Sequence, residues 1–397
     1  DGNLLLYLPG NCDFQAAEAS GLRGYPEVVS DYRRMLVLIG ISPEDAYVVD
    51  LFRVSGGSRH EHVLLGDADH DGAVETDLSL SNFGPNLLPP GVSVTYPTGE
   101  SVQGDAEGHN LAYAFVRNVR AAESPDAWSA TLTSEAPTRG ALKIHGFSEP
   151  GTRLLVGSAP SIRRAEEDDA KVDDFTMPVL IRRREGDDLV SAFATVLEPH
   201  GGRPLLTSVE RLPLVDGAQG DVALKITWGD RVDYLISSAS GDDRTLQAGG
   251  VVLNGRLGFV RERNGEVERM VLVGGTSLEK NGRRLKGGGI IKGAIERVLR
   301  VAEGHAVDGF IIDTELGVGE GLAGCTAIVT DGDGFTYGHP VSGVSQRDGR
   351  TVLELAEDPG VEIDADGTGR HVFFPGREWT GGTRFEIPTV AMEGFGS

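Results

Sequence analysis

The stretch Tyr47-Val-Val-Asp-Leu-Phe-Arg-Val54, followed by Ser55-Gly-Gly-Ser-Arg-His-Glu-His62, decides the interpretation of the fold. Its first part is a run of aliphatic, β-branched and aromatic residues, which is typical of a strand covered on both faces. Gly56 and Gly57 then allow the chain to bend or bulge. The segment predicts a rigid strand that delivers a cationic, titratable cluster to a sheet edge or cleft. The alternative is a buried strand followed by an exposed polar turn.

The rest of the chain favours an all-β fold. Glycine accounts for 56 of 397 residues, and short apolar runs alternate with turn signals, a pattern typical of many short strands joined by tight turns. Gly229-Asp230, Asn254-Gly255 and Asn264-Gly265 predict hairpins. We therefore expect a large antiparallel β-sandwich (supersandwich-like) over residues 1–240 and a smaller antiparallel β domain over residues 241–397.

Charge and cysteine content exclude several classes of protein. The formal net charge is −23, which argues against nucleic acid as a partner. Residues 1–20 contain neither a signal peptide nor a transmembrane segment, so we expect no membrane partner. A start at Asp1 suggests a mature, truncated or processed chain. Cys12 and Cys325 are too few for a disulfide framework, although one long-range bridge stays open.

An acidic loop follows the opening stretch. Asp67-x-Asp69-x-Asp71-Gly72 matches the first half of an oxygen-ligand calcium loop, in which alternate carboxylates wrap a hard cation. The twelfth position of such a loop carries a bidentate Glu, and here it is Leu78. The alternative interpretation is an acidic hairpin loop.

Histidines form the second candidate metal site. His60 and His62 share one face if the segment is extended, because side chains repeat every two residues along a strand. Two imidazoles and a carboxylate from a neighbouring strand suit a transition metal. Asp77 and His145 are candidate third and fourth ligands. The alternative is that each histidine is a hydrogen-bonded polar residue without a ligand role.

Several pieces of the chain, taken in order, resemble one family. The opening stretch resembles the recurrent strand "YRR…VVD.FRV.GG..H" of the C-terminal β domain of heparinase II/III-like polysaccharide lyases. The matching segments, spread over roughly residues 30–240, are Tyr32-Arg33-Arg34, Val48-Val49-Asp50, Phe52-Arg53-Val54, Gly56-Gly57, His60, Gly151-Thr152, Ala159–Arg163, Ser191–Pro199, Ser208–Leu212 and Asp233-Tyr234.

The resemblance implies a chemistry, a partner and a location. Family members pair this domain with an N-terminal (α/α) toroid, which we expect to lie outside this sequence or on a separate chain, and bind polysaccharide in the groove between the two. The implied reaction is β-elimination on a uronic-acid polysaccharide, of glycosaminoglycan or alginate type. The implied location is the bacterial periplasm or the exterior, and a homodimer is an open alternative.

The resemblance also implies residue roles. His60 takes the place of the histidine that the β domain contributes to catalysis, by neutralising the substrate carboxylate or transferring a proton. Arg59 and Arg53 are assigned to substrate charge. A single divalent metal (Zn²⁺, Mn²⁺ or Ca²⁺), held by His62, Asp77 and His145, would be structural. Family members often carry another His five residues after the first, and here that position is Leu65.

A rival function belongs to a different class. A carbohydrate-binding or structural β domain without catalysis of its own fits the same composition and the same strands. The two functions differ in one measurable property, because only the lyase generates unsaturated uronates that absorb ultraviolet light.

Overall fold

The computed structural model describes residues 2–11, 13–92, 94–95, 103–104, 111–138, 140–166, 168–171, 173–240, 244–318, 321–364, 366–373 and 376–395. Of these, 60 % lie in strands and 4 % in helices, which confirms the all-β expectation. The chain divides into two compact units. Unit 1 combines residues Asp1–Pro43 with Leu206–Ser397, and unit 2 is the continuous segment Glu44–Leu205.

Unit 1 begins with three strands, and unit 2 follows. The strands of the first part of unit 1 are β1 (Asn3–Asn11), β2 (Phe14–Ser20) and β3 (Asp31–Gly40), with a 3-10 turn at Leu22–Gly24. The elements of unit 2 are β4 (Ala46–Ser55), β5 (Arg59–Leu65), β6 (Gly72–Thr76), β7 (Ser81–Asn86), β8 (Val94–Thr95), β9 (Gln103–Gly104), β10 (Arg117–Glu123), β11 (Ala127–Ser134), β12 (Ala141–Phe147), β13 (Arg153–Pro160), α1 (Ile162–Ala165), β14 (Thr176–Glu185) and β15 (Val190–His200), with 3-10 turns at Leu111–Ala114 and Asp169–Lys171.

The second part of unit 1 contains the remaining strands. They are β16 (Leu206–Arg211), β17 (Val222–Trp228), β18 (Arg231–Ser237), β19 (Thr245–Ala248), β20 (Val251–Arg263), β21 (Glu266–Lys280), β22 (Arg283–Lys286), β23 (Ile290–Leu299), β24 (Gly309–Ile312), β25 (Thr326–Thr330), β26 (Thr336–Arg347), β27 (Arg350–Leu355), β28 (Val361–Ile363), β29 (Gly369–His371), β30 (Glu378–Trp379), β31 (Thr383–Pro388) and β32 (Val390–Gly394), with a 3-10 turn at Val301–Glu303.

Unit 2 is a sandwich of two antiparallel sheets. One sheet has the order β4-β15-β12-β11-β6 and the other β5-β14-β13-β10-β7. Side chains of both sheets meet in one apolar cluster, in which Trp128 and Ile144 of the first sheet pack with Leu154 and Leu180 of the second. The predicted strand at Tyr47–Val54 is confirmed as β4, and Gly56 and Gly57 both have positive φ where the chain passes to β5.

Unit 1 combines sheets with a closed barrel. β1, β2 and β3 pair in that order, a second sheet runs β16-β17-β18-β20-β21-β22, and the barrel has the order β23-β24-β27-β26-β25-β31. β28, β29 and β30 form a three-stranded sheet. Phe310, Leu353 and Phe385 are completely buried in the barrel core.

The compact units do not follow the expected boundary between residues 240 and 241. β18 and β20 lie on either side of it and pair over seven residues, from Arg231 opposite Arg263 to Ser237 opposite Leu257. A boundary there would separate two hydrogen-bonded strands of one sheet. The second part of unit 1 instead begins at Leu206, after the last strand of the sandwich.

The hairpin predictions have mixed outcomes. Gly229-Asp230 and Asn264-Gly265 are confirmed as turns between paired strands. Asn254-Gly255 was expected to be a hairpin and is not, because β20 runs through it with a bulge. Gly255 lies so close to β21 that a Cβ atom there would be 2.5 Å from the Cα atom of Gly275. Its glycine therefore serves a close approach of two strands. Among the described residues, no helix is long and apolar enough to cross a membrane.

Candidate functional site

The register between β5 and β14 places the predicted site residues. Arg59 lies opposite Glu185, His60 opposite Arg184, Glu61 opposite Arg183 and His62 opposite Arg182. Because side chains alternate along a strand, His60 and His62 point into the sandwich with Arg182 and Arg184, while Arg59 and Glu61 lie on the outer face. One seven-residue strand thus supplies two separate polar clusters.

His60, the predicted catalytic residue, lies in the inner cluster and is 3 % exposed. Its Nδ1 atom is 2.8 Å from the Ser191 hydroxyl and its Nε2 atom is 2.5 Å from the Gly56 carbonyl oxygen. The carbonyl requires Nε2–H as donor, so the hydroxyl donates to Nδ1. Burial lowers the pKa of His60, and the Gly56 carbonyl opposes this effect. The imidazole is neutral, and both nitrogens bond within the protein.

His62 links two buried charges across the sandwich. Its Nε2 atom is 3.0 Å from an oxygen of Asp50 on β4, and its Nδ1 atom is 2.9 Å from a guanidinium nitrogen of Arg182. Asp50, His62 and Arg182 are at most 2 % exposed. Since Arg182 can only donate, Nδ1 accepts and Nε2–H donates to Asp50. This tautomer leaves no ring lone pair for a metal.

Arg182 anchors the inner cluster to the facing sheet. Its guanidinium donates to the carbonyl oxygen of Ala194 at 2.9 Å and to the hydroxyl of Thr195. It also lies 5.1 Å from the ring centroid of Phe193. A buried charge requires such hydrogen bonds to offset desolvation. This part of the sandwich core therefore contains charged groups that hydrogen bonds hold in one arrangement.

Arg53, which we assigned to substrate charge, is also buried, with 2 % exposure. It alternates with Phe52, whose ring lies 5.8 Å from that of His62, and therefore occupies the opposite face of β4. Of the two arginines assigned to substrate, only Arg59 lies at the surface, with 39 % of its side chain exposed.

The predicted metal ligands do not converge. His145 lies on β12, opposite Val196 of β15. Its neighbour Ile144 points into the sandwich, so the side chain of His145 lies on the outer face of its sheet. His62 approaches the inner face of the same sheet. His145 bonds Glu198 at 3.4 Å. Asp77 follows β6, three strands from β15 in that sheet. Among the residues that the structure describes, no group of three or more His, Cys, Asp or Glu is placed to hold a metal.

The acidic loop is neutralised by protein groups. Asp67 accepts hydrogen bonds from Ser134 at 2.6 Å and from the amide of Asp69 at 2.8 Å. The Ser134 hydroxyl contributes most to a pKa of about 2 for Asp67. Two arginines then pair with the other carboxylates, Arg163 with Asp69 at 2.9 Å and Arg164 with Asp71 at 2.8 Å. The three carboxylates are therefore ion-paired or hydrogen-bonded, as the hairpin-loop alternative expects.

The outer cluster is the candidate functional site. Glu61 accepts from the Arg183 guanidinium at 2.5 Å and from the Tyr113 hydroxyl. Arg183 lies 5.4 Å from the centroid of the Tyr113 ring. Arg59 bonds Glu185 at 2.8 Å and interacts electrostatically with Tyr113 and Glu61. Two guanidinium groups, a phenol and two carboxylates thus meet on the outer face of one sheet.

The Tyr113 phenol is held in its protonated form. Burial raises its pKa to about 12, and the hydrogen bond to Glu61 acts in the same direction. A phenol of this kind donates a proton or a hydrogen bond at neutral pH and does not act as a base. Chemically, Arg59 can bind an anion, and the Tyr113 O–H can reach a ligand only by leaving Glu61, to which it donates in this structure.

Neither the family models nor the curated proteins contain a match to this chain. A function for this chain can therefore be proposed only from the side-chain contacts described above and from the resemblance in its sequence.

A cleft of about 540 Å³ lies elsewhere in unit 2. Glu44, Asp67, Ser134 and His200 line it together with Leu65 and other residues. Its charged groups are acidic, so it does not suit an anionic glycan. The cleft contains none of the residues predicted to carry catalysis or to bind substrate.

Sequence reasoning missed Tyr113, Glu61, Arg183 and Glu185. The run Arg182-Arg-Arg184 followed by Glu185 is visible in the sequence, and alternation alone separates Arg183 from its neighbours. The register that sets Arg183 against Glu61 is not visible, because it joins residues that are 122 positions apart. Tyr113 comes from a 3-10 turn at Leu111–Ala114.

Proposed function

We propose that this chain is the β part of a polysaccharide lyase that cleaves uronic-acid-containing polysaccharides by β-elimination, and that the outer cluster contacts the uronate. The observation that carries the proposal is the meeting of Arg59, Arg183 and the protonated Tyr113 around Glu61. Glycosaminoglycan and alginate-like chains both present the uronate that this cluster suits. The family resemblance, with its periplasmic or secreted location, points to the same substrate class.

The reaction sets requirements that the outer cluster meets in part. A base removes the C5 proton, the C4–O4 bond breaks to leave a C4–C5 double bond, and O4 takes up a proton. A cation beside the uronate carboxylate stabilises the charge that develops there, and the half-exposed Arg59 is suited to that role. Tyr113 is the proposed proton donor to O4: its raised pKa keeps it protonated, and its O–H would turn from Glu61 to O4 when the substrate binds.

The base is assigned to a partner. Proton abstraction needs a group that is unprotonated at working pH, which the Tyr113 phenol is not. We propose that an (α/α) toroid, in a preceding segment or on a separate chain, supplies the base and closes the groove over the outer cluster. His60 becomes a positioning residue for β5, since both of its nitrogens bond within the sandwich.

A second function is favoured by a specific observation. The nitrogens of His60 and His62 are all engaged by protein groups, which fits a non-catalytic carbohydrate-binding or structural module as well as it fits a lyase. In that module Arg59 would still bind the uronate, while Tyr113 would contribute a hydrogen bond and no proton transfer.

The test measures binding and chemistry separately. This chain, together with any domains encoded with it, is incubated with heparan, chondroitin, hyaluronan and alginate, and the absorbance of unsaturated uronate is followed. Tyr113→Phe is expected to lower kcat by about 10²-fold or more, the usual contribution of a positioned acid, and to leave binding nearly unchanged. Arg59→Gln is expected to weaken binding roughly tenfold, because it removes the cation.

Matched controls define the alternatives. Tyr25→Phe changes an exposed tyrosine of unit 1, and Arg153→Gln removes an exposed arginine of β13 that pairs with Glu123; neither should change activity. Binding that depends on Arg59 without any unsaturated product would favour the carbohydrate-binding module. Activity that survives Tyr113→Phe would remove Tyr113 from the mechanism.

A further inference from the structure

One end of the unit 1 barrel contains three polar atoms that are buried without a hydrogen-bond partner in the described part of the chain. They are Oδ2 of Asp331, Nε2 of His339 and Nε2 of His371. Asp331 and His339 are 4 % and 8 % exposed. Buried polar atoms are nearly always hydrogen-bonded, so a group of three that are not calls for an explanation.

The hairpin of β25 and β26 brings two of these residues to the barrel interior. Ala327 lies opposite His339 and Val329 opposite Tyr337. Ala327 and Val329 belong to the barrel core, and alternation then directs Asp331 and His339 to the same side. His339 meets the Phe310 ring edge-on, with centroids 5.4 Å apart.

His371 reaches this place from the three-stranded sheet β28-β29-β30, which we name the barrel cap. Its ring lies 4.6 Å from that of Tyr337 on β26 and 5.0 Å from that of Trp379 in the cap itself. Trp379 and Val361 of the cap pack into the barrel core. The contact between the cap and β26 therefore runs through an imidazole.

Charged contacts hold the rest of the barrel cap. Arg300 bonds Asp358 at 2.8 Å and Glu362 at 3.1 Å. Arg377 bonds Asp333 at 2.9 Å, and its guanidinium lies 3.5 Å above the centroid of the Phe335 ring. The Arg300–Asp358 pair persists at neutral and mildly acidic pH, because the Arg300 guanidinium lowers the pKa of Asp358. The histidines differ from these carboxylates because an imidazole that the opened cap exposes to water has the ordinary pKa of about 6.5 and binds a proton in mildly acidic solution.

Both imidazoles are neutral in the folded protein. Burial lowers the pKa of His339 to about 4, and His371 adds to that effect. Burial also lowers the pKa of His371, which faces Asp331, Arg377, Tyr337 and Trp379. His339 faces His371 and Phe310. Acidification would place one new cation, His371, beside Arg377 and Asp331, and a second, His339, beside His371.

We propose that the barrel cap is an acid-released flap, in which protonation of His371 and His339 separates β29 from β26 and opens this end of the barrel. The release relieves two effects at once, repulsion among the imidazolium groups and Arg377, and the desolvation of charges that have no hydrogen-bond partner. Histidine is suited to such a switch because it titrates close to physiological pH. The proposal concerns unit 1 and does not depend on the lyase function.

The test is hydrogen exchange of the intact chain at about pH 7.5 and about pH 5, corrected for the intrinsic rate of exchange. Amides of β28, β29 and β30 are expected to lose roughly tenfold or more of their protection at the lower pH, while amides of the β20–β21 hairpin keep theirs. The double variant His339→Phe with His371→Gln should keep the cap protected at both pH values. His305→Gln is the matched control and should behave like the wild type.

Each remaining outcome decides the proposal. Equal cap protection at both pH values in the wild type overturns it. Acid loss that persists in the double variant also overturns it, because carboxylates of the Arg300 cluster would then be responsible. If the double variant lacks protection at neutral pH, the single variant His371→Gln is used instead, because His371 is only partly buried. The loss of cap protection in this variant should occur at a lower pH than in the wild type.

Discussion

Two pairs of histidines meet opposite conditions in the two units. In unit 2, His60 and His62 bond protein groups through every ring nitrogen. In unit 1, His339 and His371 each leave Nε2 without a hydrogen-bond partner among the described residues. Burial alone therefore does not set the role of a histidine; the partners that share its site do. The first pair holds the strands of the sandwich in one arrangement. The second pair is the proposed cause of a pH-dependent opening of the barrel cap.

The largest effect is expected from breaking the ionic core of unit 2. Arg182→Met removes a completely buried cation and leaves Asp50 and His62 without it. Loss of one partner of a buried charge pair destabilises by about 3–5 kcal/mol. The change is measured by hydrogen exchange of the amides in residues 44–205 at increasing urea concentration, which gives the free energy of unfolding of unit 2 in the wild type and in the variant.

An exposed ion pair of the same unit is the reference for that variant. Arg153→Met removes a pair with Glu123, whose side chains are 42 % and 75 % exposed, and should cost about 1 kcal/mol or less. Equal effects of the two variants would show that the inner cluster is not what stabilises the sandwich.

A smaller effect is expected from acid on unit 1. The pKa of His339 is about 4 in the folded protein, below the ordinary value of about 6.5. The folded state binds fewer protons between these values, so stability is complete above about pH 6.5, falls as the pH drops toward about 4, and levels off below it. The loss attributable to His339 is about 3 kcal/mol.

The His339→Phe variant tests this contribution of His339 to the pH dependence of stability. It should flatten the pH dependence of the free energy of unfolding of unit 1 over the same range, as followed by urea titrations at a series of pH values. An unchanged slope in the variant would assign the acid sensitivity to other groups.

The smallest of these effects concerns His60. His60→Phe removes the hydrogen bonds to Ser191 and Gly56, and leaving those groups unsatisfied should cost about 1–3 kcal/mol. If the chain belongs to a lyase, as proposed, activity per folded molecule should not change, since both nitrogens of the imidazole bond within the protein. A loss of kcat that exceeds the loss of folded protein would restore His60 as a catalytic residue.

Much of the fold followed from local pattern. The strand at Tyr47–Val54, the break at Gly56-Gly57 and the shared face of His60 and His62 were all predicted, since period-two alternation and glycine conformation are local properties. The same pattern could not tell which face of β5 is covered. That depends on β4, β14 and β15, whose pairings join distant parts of the chain.

The candidate site was predicted less well for the same reason. Arg59 and Arg53 were both assigned to substrate; Arg59 lies at the surface and Arg53 is buried, because a charged residue in an apolar run does not reveal what packs over it. Tyr113 and Arg183 gained their interest only through contact with Glu61. No local signal marks a phenol whose partner lies 52 positions away.

In the sequence, unit 2 lies between the two parts of unit 1, and this order has a consequence for synthesis on the ribosome. Residues 44–205 can complete their sandwich as soon as they emerge, while β1, β2 and β3 need strands that are encoded after Leu206. At roughly 5–20 residues per second, the wait lasts on the order of ten to thirty seconds. During that time the three early strands expose apolar side chains such as Phe14, which packs against Phe259 in the folded protein, so nascent chains of this protein should be clients of ribosome-associated chaperones.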